Sequence, residues 1–332
     1  MYRPLIASFS MLLSFALASD TAAQPSPVGA QFQVNTYTTG GQYDPSVASD
    51  AVGNFVISWS SGGSPSGDPG YSILAQRYSP GGTPIGDEFQ ANAFTSGAQV
   101  DPAIAMGPNG DFVLTWATFE SPSFGELRTR LFLPDGTASG DDFQTNTYTT
   151  GRQILPTTAL DSGGGIIVAW TSEGSAGTDS DTSVQTRRLG SDGGPIGSEF
   201  QVNTSTQNAQ AQSDIAVQPG DDFLVTWTDF GGVDGAGGGI VARRFASDGS
   251  ALGDEIVVNT YTTGDQSQPA VATDASGAFT VVWQSSRSAG GDIDGSIQGQ
   301  RFDALGQRLG GQFQVNTVTT GTQRRADVVM AP

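Results

Sequence analysis

The chain contains no cysteine and no histidine, and every one of its basic residues is arginine. The first two absences exclude disulfides, zinc sites of the usual kind, and Cys–His or Ser–His–Asp nucleophilic machinery. Among 332 residues, 33 are acidic and 14 are basic, which gives a formal net charge of -19. A field of this sign repels nucleic acid and anionic lipid, so we exclude both as partners.

Long apolar runs are missing after the N-terminus. Arg3 precedes an apolar stretch from residue 5 to residue 18, and small residues follow it. This is the pattern of a secretory signal peptide, and the stretch is too short to span a bilayer. We assign the signal to residues 1–23, with cleavage after Ala18 or Ala23, and a short segment to 24–31. The sequence therefore predicts a secreted or cell-surface protein without a membrane span.

What is present is a repeat of about 56 residues. The phrase Phe-Gln-Val-Asn-Thr, or a close variant, begins at six positions in the chain: Phe32, Phe89, Phe143, Phe200, Ile256 and Phe313. We place the repeats at 32–88, 89–142, 143–199, 200–255 and 256–312, with a partial copy at 313–332. A period of this size indicates an array of supersecondary units that stack to cover their apolar faces.

Each repeat has the pattern of four strands joined by short turns. In the fifth repeat, strands are predicted at 256–260, 270–273, 279–283 and 297–302, with the turn Asp274–Gly277 between the second and third. The third strand is apolar on both faces, which requires cover on both sides. Four-stranded antiparallel sheets stacked around an axis give that cover, so the sequence predicts an all-β propeller. Its domain spans residues 32–332.

The number of blades is left open by the repeat count. Five repeats contain all four strands, and the sixth contains only half of them. Either five blades close with the extra half pairing over the seam, or six blades form and one is thin. An open stack of sheets is a third arrangement. We favour a closed ring, because exposed sheet edges promote aggregation.

Three residue types recur at fixed places in the repeat. Tryptophan occurs once in each full repeat, at Trp59, Trp116, Trp170, Trp227 and Trp283. Asparagine occurs in all six copies, at Asn35, Asn92, Asn146, Asn203, Asn259 and Asn316. Arginine recurs in the fourth strand, at Arg77, Arg188, Arg244 and Arg301. We predict core packing for Trp, and bracing of loop backbone for Asn rather than a repeated ligand pocket.

The recurrent arginines have two interpretations. Arg prefers planar, bidentate pairing with carboxylates, and acids stand just before the following strand, among them Glu88 and Glu199. An inter-strand ion pair is the favoured interpretation. The alternative is a ring of Arg that converges on the axis and binds a carboxylate ligand.

Acids also recur in the loop between the third and fourth strands. The sequence Asp292-Ile293-Asp294-Gly295 resembles half of a calcium loop, and Asp179 with Asp181 is the next candidate. We predict weak Ca²⁺ binding there as the one cofactor, against the alternative that these are ordinary turn residues. No acid stands out from the repeat as catalytic, so we assign no catalytic residue.

The repeat resembles those of secreted and surface-associated bacterial proteins. The residues that carry the likeness are Phe32–Gln42, Gly277–Trp283 and Gln300–Gly306. The resemblance implies a propeller-like extracellular array without known catalytic residues, with a looser likeness to integrin-type propeller repeats. We therefore expect a non-enzymatic binding or adhesion scaffold for an extracellular protein or glycan. The alternative is a secreted glycan-acting hydrolase or lyase with an acidic site at the propeller centre.

Overall fold

The protein folds into β-strands joined by turns. The computed structural model describes residues 30–68, 70–120, 125–175, 181–287 and 294–330. The described residues from Val34 onward form one compact unit. Within the described residues, no helix is long or apolar enough to cross a membrane.

Twenty strands form five sheets of four strands, which we call blades 1 to 5. Blade 1 contains β1 (Gln42–Ser49), β2 (Phe55–Gly62), β3 (Tyr71–Tyr78) and β4 (Pro84–Gln90), and blade 2 contains β5 (Ala98–Met106), β6 (Phe112–Phe119), β7 (Glu126–Phe132) and β8 (Phe143–Gln144). Blade 3 contains β9 (Gln153–Leu160), β10 (Ile166–Glu173), β11 (Thr182–Leu189) and β12 (Pro195–Gln201). Blade 4 contains β13 (Gln210–Val217), β14 (Phe223–Asp229), β15 (Gly239–Phe245) and β16 (Ile256–Val257), and blade 5 contains β17 (Gln266–Thr273), β18 (Phe279–Ser285), β19 (Ser296–Phe302) and β20 (Phe313–Gln314).

The strands of each blade are hydrogen-bonded in chain order, and every neighbouring pair is antiparallel. The first strand of each blade lies innermost, since β1, β5, β9, β13 and β17 contact one another in sequence. The predicted all-β propeller of about five or six blades is confirmed. The outer strand of each blade carries the phrase that opens the next repeat, so the chain passes from the rim of one blade to the centre of the next.

The core lies between the blades. The tryptophan of one blade packs on the face of the blade before it: Trp116, Phe112 and Leu114 contact Val56 and Ile73 of blade 1. Four of the five tryptophans are fully buried, and Trp59 is 3% exposed. Truncating a buried aromatic side chain of this kind costs about 3–5 kcal/mol. The third strand of the repeat is the second strand of each blade, and it is apolar on both faces. It thus contributes side chains to the interfaces on both sides of the blade.

Each of the five inner strands has a bulge near its start. With one further residue near the C-terminus, these bulges define six equivalent positions around the axis. A non-glycine residue with positive φ occupies each one: Asp44 (50°), Asp101 (56°), Leu155 (52°), Gln212 (59°), Gln268 (52°) and Arg325 (54°). Only five of these belong to blades. The sixth, Arg325, lies on the C-terminal segment, residues 323–330, which forms no strand.

The C-terminal segment lies between blade 5 and blade 1. Ala326 and Val328 pack against Ala270, Val282 and Ile297 of blade 5. On the other side, Nη1 of Arg325 lies 3.5 Å from Oδ1 of Asp44 in blade 1. The partial sixth copy of the repeat therefore does not form a blade. It occupies the sixth equivalent position at the axis, beside the five complete blades.

Candidate functional site

The axial end of the propeller at the bulges encloses a cavity of about 630 Å³. Its walls are the bulge residue of each inner strand together with the two residues that follow it. The C-terminal segment supplies the sixth part of this wall through Arg325, Ala326 and Asp327. A non-glycine residue with positive φ costs of order 1–3 kcal/mol, and such strain clusters at ligand sites.

Four carboxyl groups and one guanidinium line this cavity, and they break the symmetry of the repeat. Asp44 and Asp101 stand at the bulge, where the third to fifth repeats have Leu155, Gln212 and Gln268. Two residues further on, Asp214 and Asp327 occupy a position where the other copies have small or hydroxyl-bearing residues: Ser46, Ala103, Thr157 and Ala270. The charged residues are therefore specific to individual blades and are not part of the common architecture.

Asp44 and Asp101 lie side by side on blades 1 and 2. Burial raises the pKa of Asp101, and the neighbouring Asp44 raises it further through its charge and a hydrogen bond between the two carboxyl groups. Arg152 and Arg325 oppose this shift. A neighbouring negative charge disfavours the ionised form of a carboxyl group, which is the physical reason for the upward contribution of Asp44.

Asp214 is a second titratable centre in the same cavity. Burial raises its pKa to about 6, although three hydrogen bonds favour the charged form. Its Oδ1 accepts from the Thr157 hydroxyl at 2.9 Å, and its Oδ2 accepts from the Val271 amide at 2.8 Å. Protein surrounds the carboxyl, yet the side chain keeps partial access to solvent through the cavity. A carboxyl with this pKa can donate a proton near neutral pH.

Another cavity, of about 540 Å³, lies between blades 2 and 3. Phe112, Leu131 and Ile166 contribute to its apolar floor, and its rim consists of turns. The turn acid Asp161 is engaged locally: its Oδ1 accepts the amides of Gly163 and Gly165 at 2.9 and 2.6 Å. Two acids, Asp111 and Asp161, line this groove, whereas four acids line the axial cavity, so we place the candidate site at the axis.

The recurrent tryptophans are buried between blades, and three of them are tied to the glutamine that opens the inner strand. The indole nitrogens of Trp59, Trp170 and Trp283 donate to Oε1 of Gln42, Gln153 and Gln266 at 2.8, 2.8 and 2.9 Å. The indole nitrogens of Trp116 and Trp227 have no hydrogen-bond partner among the described residues. None of the five tryptophans lines the axial cavity.

The recurrent asparagines bridge backbone groups from one strand to the following loop. In five copies the side-chain oxygen accepts the amide of Ile73, Leu127, Val184, Ile240 or Ile297, at 2.8–2.9 Å. The acceptors are Asn92, Asn146, Asn203, Asn259 and Asn316, and each side-chain nitrogen donates two residues ahead. Asn35, in the first copy, donates to the carbonyl of Tyr37 at 2.8 Å. These amides satisfy backbone groups that the sheet ladder leaves unpaired.

The arginines differ from the predicted ion pairs. The guanidinium of Arg77 donates to the carbonyls of Pro134 and Asp135, on the outer turn of blade 2, at 2.6 and 2.7 Å. The side chains of Arg188 and Arg244 likewise lie beside Gly249 and Gly306, in the corresponding turns of the next blades. Arg301 lies on the same strand position in blade 5, paired across the sheet with Thr280. Among the described residues, the ion pairs are Arg128–Asp142, Arg152–Glu173 and Arg325–Asp44, so the predicted pairs are wrong.

Two of the acids that were expected to pair with these arginines, Glu88 and Glu199, accept hydrogen bonds from backbone amides instead. Glu88 Oε2 accepts the backbone amides of Thr36 and Tyr37, at 2.7 and 3.3 Å. Glu199 does the same for Thr147 and Tyr148, at 2.6 and 3.4 Å. Backbone amides compete successfully here because the Asn-Thr loop presents two adjacent donors with no strand to satisfy them.

The predicted calcium residues are only partly within the described structure. Asp179 and Asp292 lie outside the described residues, whereas Asp181 directly precedes β11 and Asp294 lies two residues before the start of β19. These two belong to blades 3 and 5, which are separated by blade 4. In the part of the chain that the structure describes, no three acidic side chains are grouped as a metal site.

The axial acids were missed by the sequence interpretation, which found no acid that departs from the repeat. The signal was present. Aligning the six copies on their asparagine places Asp44, Asp101 and Arg325 nine residues later, and Asp214 and Asp327 eleven residues later. What the sequence did not show is that this stretch faces the axis, because the bulge reverses the alternation of side chains there.

Solved structures share this fold. An α-L-arabinofuranosidase from Fusarium graminearum aligns at 13% identity over 88% of this chain and 85% of its own, with a TM-score of 0.61. An α-L-arabinanase from Penicillium chrysogenum aligns at 14% identity over 88% and 85%, with a TM-score of 0.60. A Dyadobacter fermentans protein of unknown function aligns at 11% identity over 83% of each chain, with a TM-score of 0.58. No protein-family model and no curated protein sequence matches the chain.

These structures overturn the expected function. The two fungal proteins are an α-L-arabinofuranosidase and an α-L-arabinanase, so the expectation of a non-enzymatic binding or adhesion scaffold is contradicted. The geometry agrees with this correction, because acids from several blades converge at the axis beside an arginine. The chain is thus a β-propeller with an acidic axial cavity, and its fold is shared with enzymes that cleave glycosides.

Proposed function

We propose that the protein is a glycan-acting hydrolase whose active site is the axial cavity. The observation that carries the proposal is the convergence there of Asp44, Asp101 and Asp214, with Arg325 beside them. Glycoside hydrolysis requires one carboxylic acid to protonate the leaving oxygen and a second carboxylate to act at the anomeric carbon. A fold shared with an α-L-arabinofuranosidase and an α-L-arabinanase supports the same reaction class.

Asp214 and the Asp44–Asp101 pair lie in different surroundings, and their proposed catalytic roles follow from that difference. Asp214, with its pKa raised to about 6, is the general acid that protonates the glycosidic oxygen as the C–O bond breaks. The Asp44–Asp101 pair supplies the carboxylate that stabilises positive charge at the anomeric carbon or takes a proton from the attacking water. Water adds its hydroxyl to that carbon and gives its proton to Asp214 or to the carboxylate of the pair. Where the pair takes the proton, proton exchange with solvent returns both groups to their starting states. The guanidinium of Arg325 lies 3.5 Å from Asp44 and limits the rise in the pKa of Asp101.

The experiment is an activity screen on neutral polysaccharides and aryl glycosides, with arabinan and arabinofuranosides first. Asp214→Asn and Asp101→Asn should each lower kcat by roughly 10²–10⁴-fold, the range for removal of a general acid or base. Asp254→Asn is the matched control, because that acid is exposed on the turn before β16. Turnover that survives both axial substitutions, or no turnover on any glycan by the wild-type protein, would contradict the proposal.

We also propose that the protein acts outside the cytoplasm. The support is the N-terminal pattern of a signal peptide and the resemblance of the repeats to those of secreted bacterial proteins. N-terminal sequencing of exported protein should find cleavage after Ala18 or Ala23. An exported protein that still begins at Met1 would contradict it.

A further inference from the structure

Two tyrosines on the rim of blade 1 form an exposed aromatic pair beside the axial acids. The rings of Tyr43 and Tyr71 lie 6.4 Å apart between centroids, with an angle of 39° between their planes. Tyr43 is 53% exposed and Tyr71 is 39% exposed. Single exposed aromatic residues are ordinary, whereas a contacting pair next to a cavity needs an explanation.

The pair lies on the rim that holds the Asp44–Asp101 contact. Tyr43 directly precedes Asp44 in β1 and is paired across the sheet with Ser60. The Ser60 hydroxyl accepts the backbone amide of Asp101 at 3.0 Å. Tyr71 is paired with Gly62, two residues further along β2. Neither ring lines the axial cavity, but Tyr43 lines a smaller pocket that shares Pro45 with it. A chain that extends from the axial cavity past Pro45 and over blade 1 would meet these rings.

The two tyrosines are specific to blade 1. At the position of Tyr43 the other copies have residues that are not aromatic: Val100, Ile154, Ala211, Ser267 and Arg324. At the position of Tyr71 the other blades have smaller residues: Gly125, Thr182, Gly238 and Gly295. The architecture of a blade consequently does not require either ring.

A third departure from the repeat makes room for the pair. A Cβ atom at Gly41 would lie 2.2 Å from the hydroxyl oxygen of Tyr43 and 2.3 Å from its ring. The other copies carry a side chain at this place: Ala98, Arg152, Ala209, Asp265 and Thr322. Glycine thus occurs in the first copy, where the ring of Tyr43 lies against the Cα atom of Gly41. Three coordinated departures in one blade favour a selected surface over independent exposed residues.

We propose that Tyr43 and Tyr71 form a stacking subsite for a sugar ring of a neutral glycan whose chain continues into the axial cavity. The C–H face of a sugar ring is apolar and packs on the electron-rich face of an aromatic ring, while the phenol hydroxyls reach the sugar hydroxyls. The substrate class is a neutral glycan, because the protein carries a net charge of -19 and would repel an acidic one. This inference rests on the proposed hydrolase function for its orientation toward the acids.

The test measures binding and turnover separately, with arabinan and arabino-oligosaccharides as probes. In an Asp214→Asn background, Tyr43→Ala and Tyr71→Ala should each weaken oligosaccharide binding about tenfold, or about 1.4 kcal/mol. Tyr71→Phe should retain most of the affinity, since stacking needs the ring. Phe230→Ala, at a similarly exposed aromatic residue on blade 4, is the control and should bind like its parent. In the active protein, the tyrosine variants should raise KM for oligosaccharides and leave kcat on a small aryl glycoside unchanged.

The outcomes separate the two proposals. Hydrolysis of oligosaccharides with unchanged binding and KM in both tyrosine variants would overturn the subsite and leave the hydrolase standing. Glycan binding that depends on the tyrosines, without turnover by the wild-type protein, would support the subsite and overturn the hydrolase. Circular dichroism and thermal melting establish that each variant is folded, and both tyrosines are exposed enough for alanine to be tolerated.

Discussion

Asp44 and Asp101 lie side by side across the boundary between blades 1 and 2, and the charge of Asp44 adds to burial in raising the pKa of Asp101. They are 57 residues apart in sequence and occupy the same place in successive repeats. Neighbouring copies of one position meet at the axis of a propeller, so two acidic copies become a coupled pair. Such a pair has a free-energy cost at neutral pH that a purely architectural position would avoid.

The pH dependence of stability tests the environment of Asp214. Folding raises its pKa from 3.8 to about 6, so the folded protein holds this proton more tightly than the unfolded chain. The resulting stabilisation is complete below about pH 4 and is lost as the pH rises through 6, a difference of about 3 kcal/mol. We expect Asp214→Asn to be about 1–3 kcal/mol more stable than wild type at pH 8 and nearly equal to it at pH 4, by urea denaturation. A variant that is less stable at pH 8 would show that the hydrogen bonds of the ionised form outweigh burial.

Removal of Arg325 should change the acid pair without removing either acid. Arg325 lowers the pKa of Asp101, so Arg325→Gln should raise that pKa further. The acidic limb of the kcat/KM profile should consequently move to higher pH. Arg324→Gln is the matched control, since it removes the same charge from the adjacent exposed residue. Equal shifts in both variants would indicate a general charge effect instead of a contact with the pair.

The asparagine bridges should be important for stability. The side chain of Asn146 is 2% exposed and accepts the buried amide of Leu127 at 2.8 Å. Asn146→Ala leaves that amide unsatisfied and should lower the free energy of unfolding by about 2–3 kcal/mol. Asn109→Ala, in an exposed turn, should cost less than about 0.5 kcal/mol by the same urea measurement. Similar losses in the two variants would argue against bridging as the role of Asn146.

The tryptophans offer a matched comparison of packing with and without a hydrogen bond. Trp170 and Trp116 are both fully buried, but only Trp170 donates from its indole nitrogen to a described residue, Gln153. Phenylalanine removes similar volume at both sites. Trp170→Phe should therefore cost about 1 kcal/mol more than Trp116→Phe in chemical denaturation. A larger loss at Trp116 would indicate that packing differences dominate.

Calcium binding at the loop acids stays a prediction. If Asp292 and Asp294, or Asp179 and Asp181, bind Ca²⁺ at about millimolar affinity, several millimolar calcium should raise the melting temperature relative to chelator. Asp292→Asn combined with Asp294→Asn should abolish that part of the shift. An unchanged melting temperature in wild type would identify these acids as ordinary turn residues.

Much of the architecture was contained in the sequence. The spacing of Trp59 and its equivalents, the alternation of the third strand and the Gly-rich turns predicted the strands, their antiparallel order and the propeller. These features depend on local chain geometry and on burial of both sheet faces, which a repeat displays several times over. The same repetition identified Asn146 and its equivalents as positions that demand an amide.

Tertiary structure decided where the chemistry lies. Local patterning cannot tell which strand faces the axis, and the bulge at Asp44 turns a side chain toward the centre that simple alternation would place elsewhere. Packing of successive blades around an axis then brings Asp101, Asp214 and Arg325 from separate repeats to one cavity, with a low-dielectric surround that raises carboxyl pKa values. The sequence alone determined the blade. The packing of blades around an axis, which depends on contacts between residues far apart in sequence, determined the site.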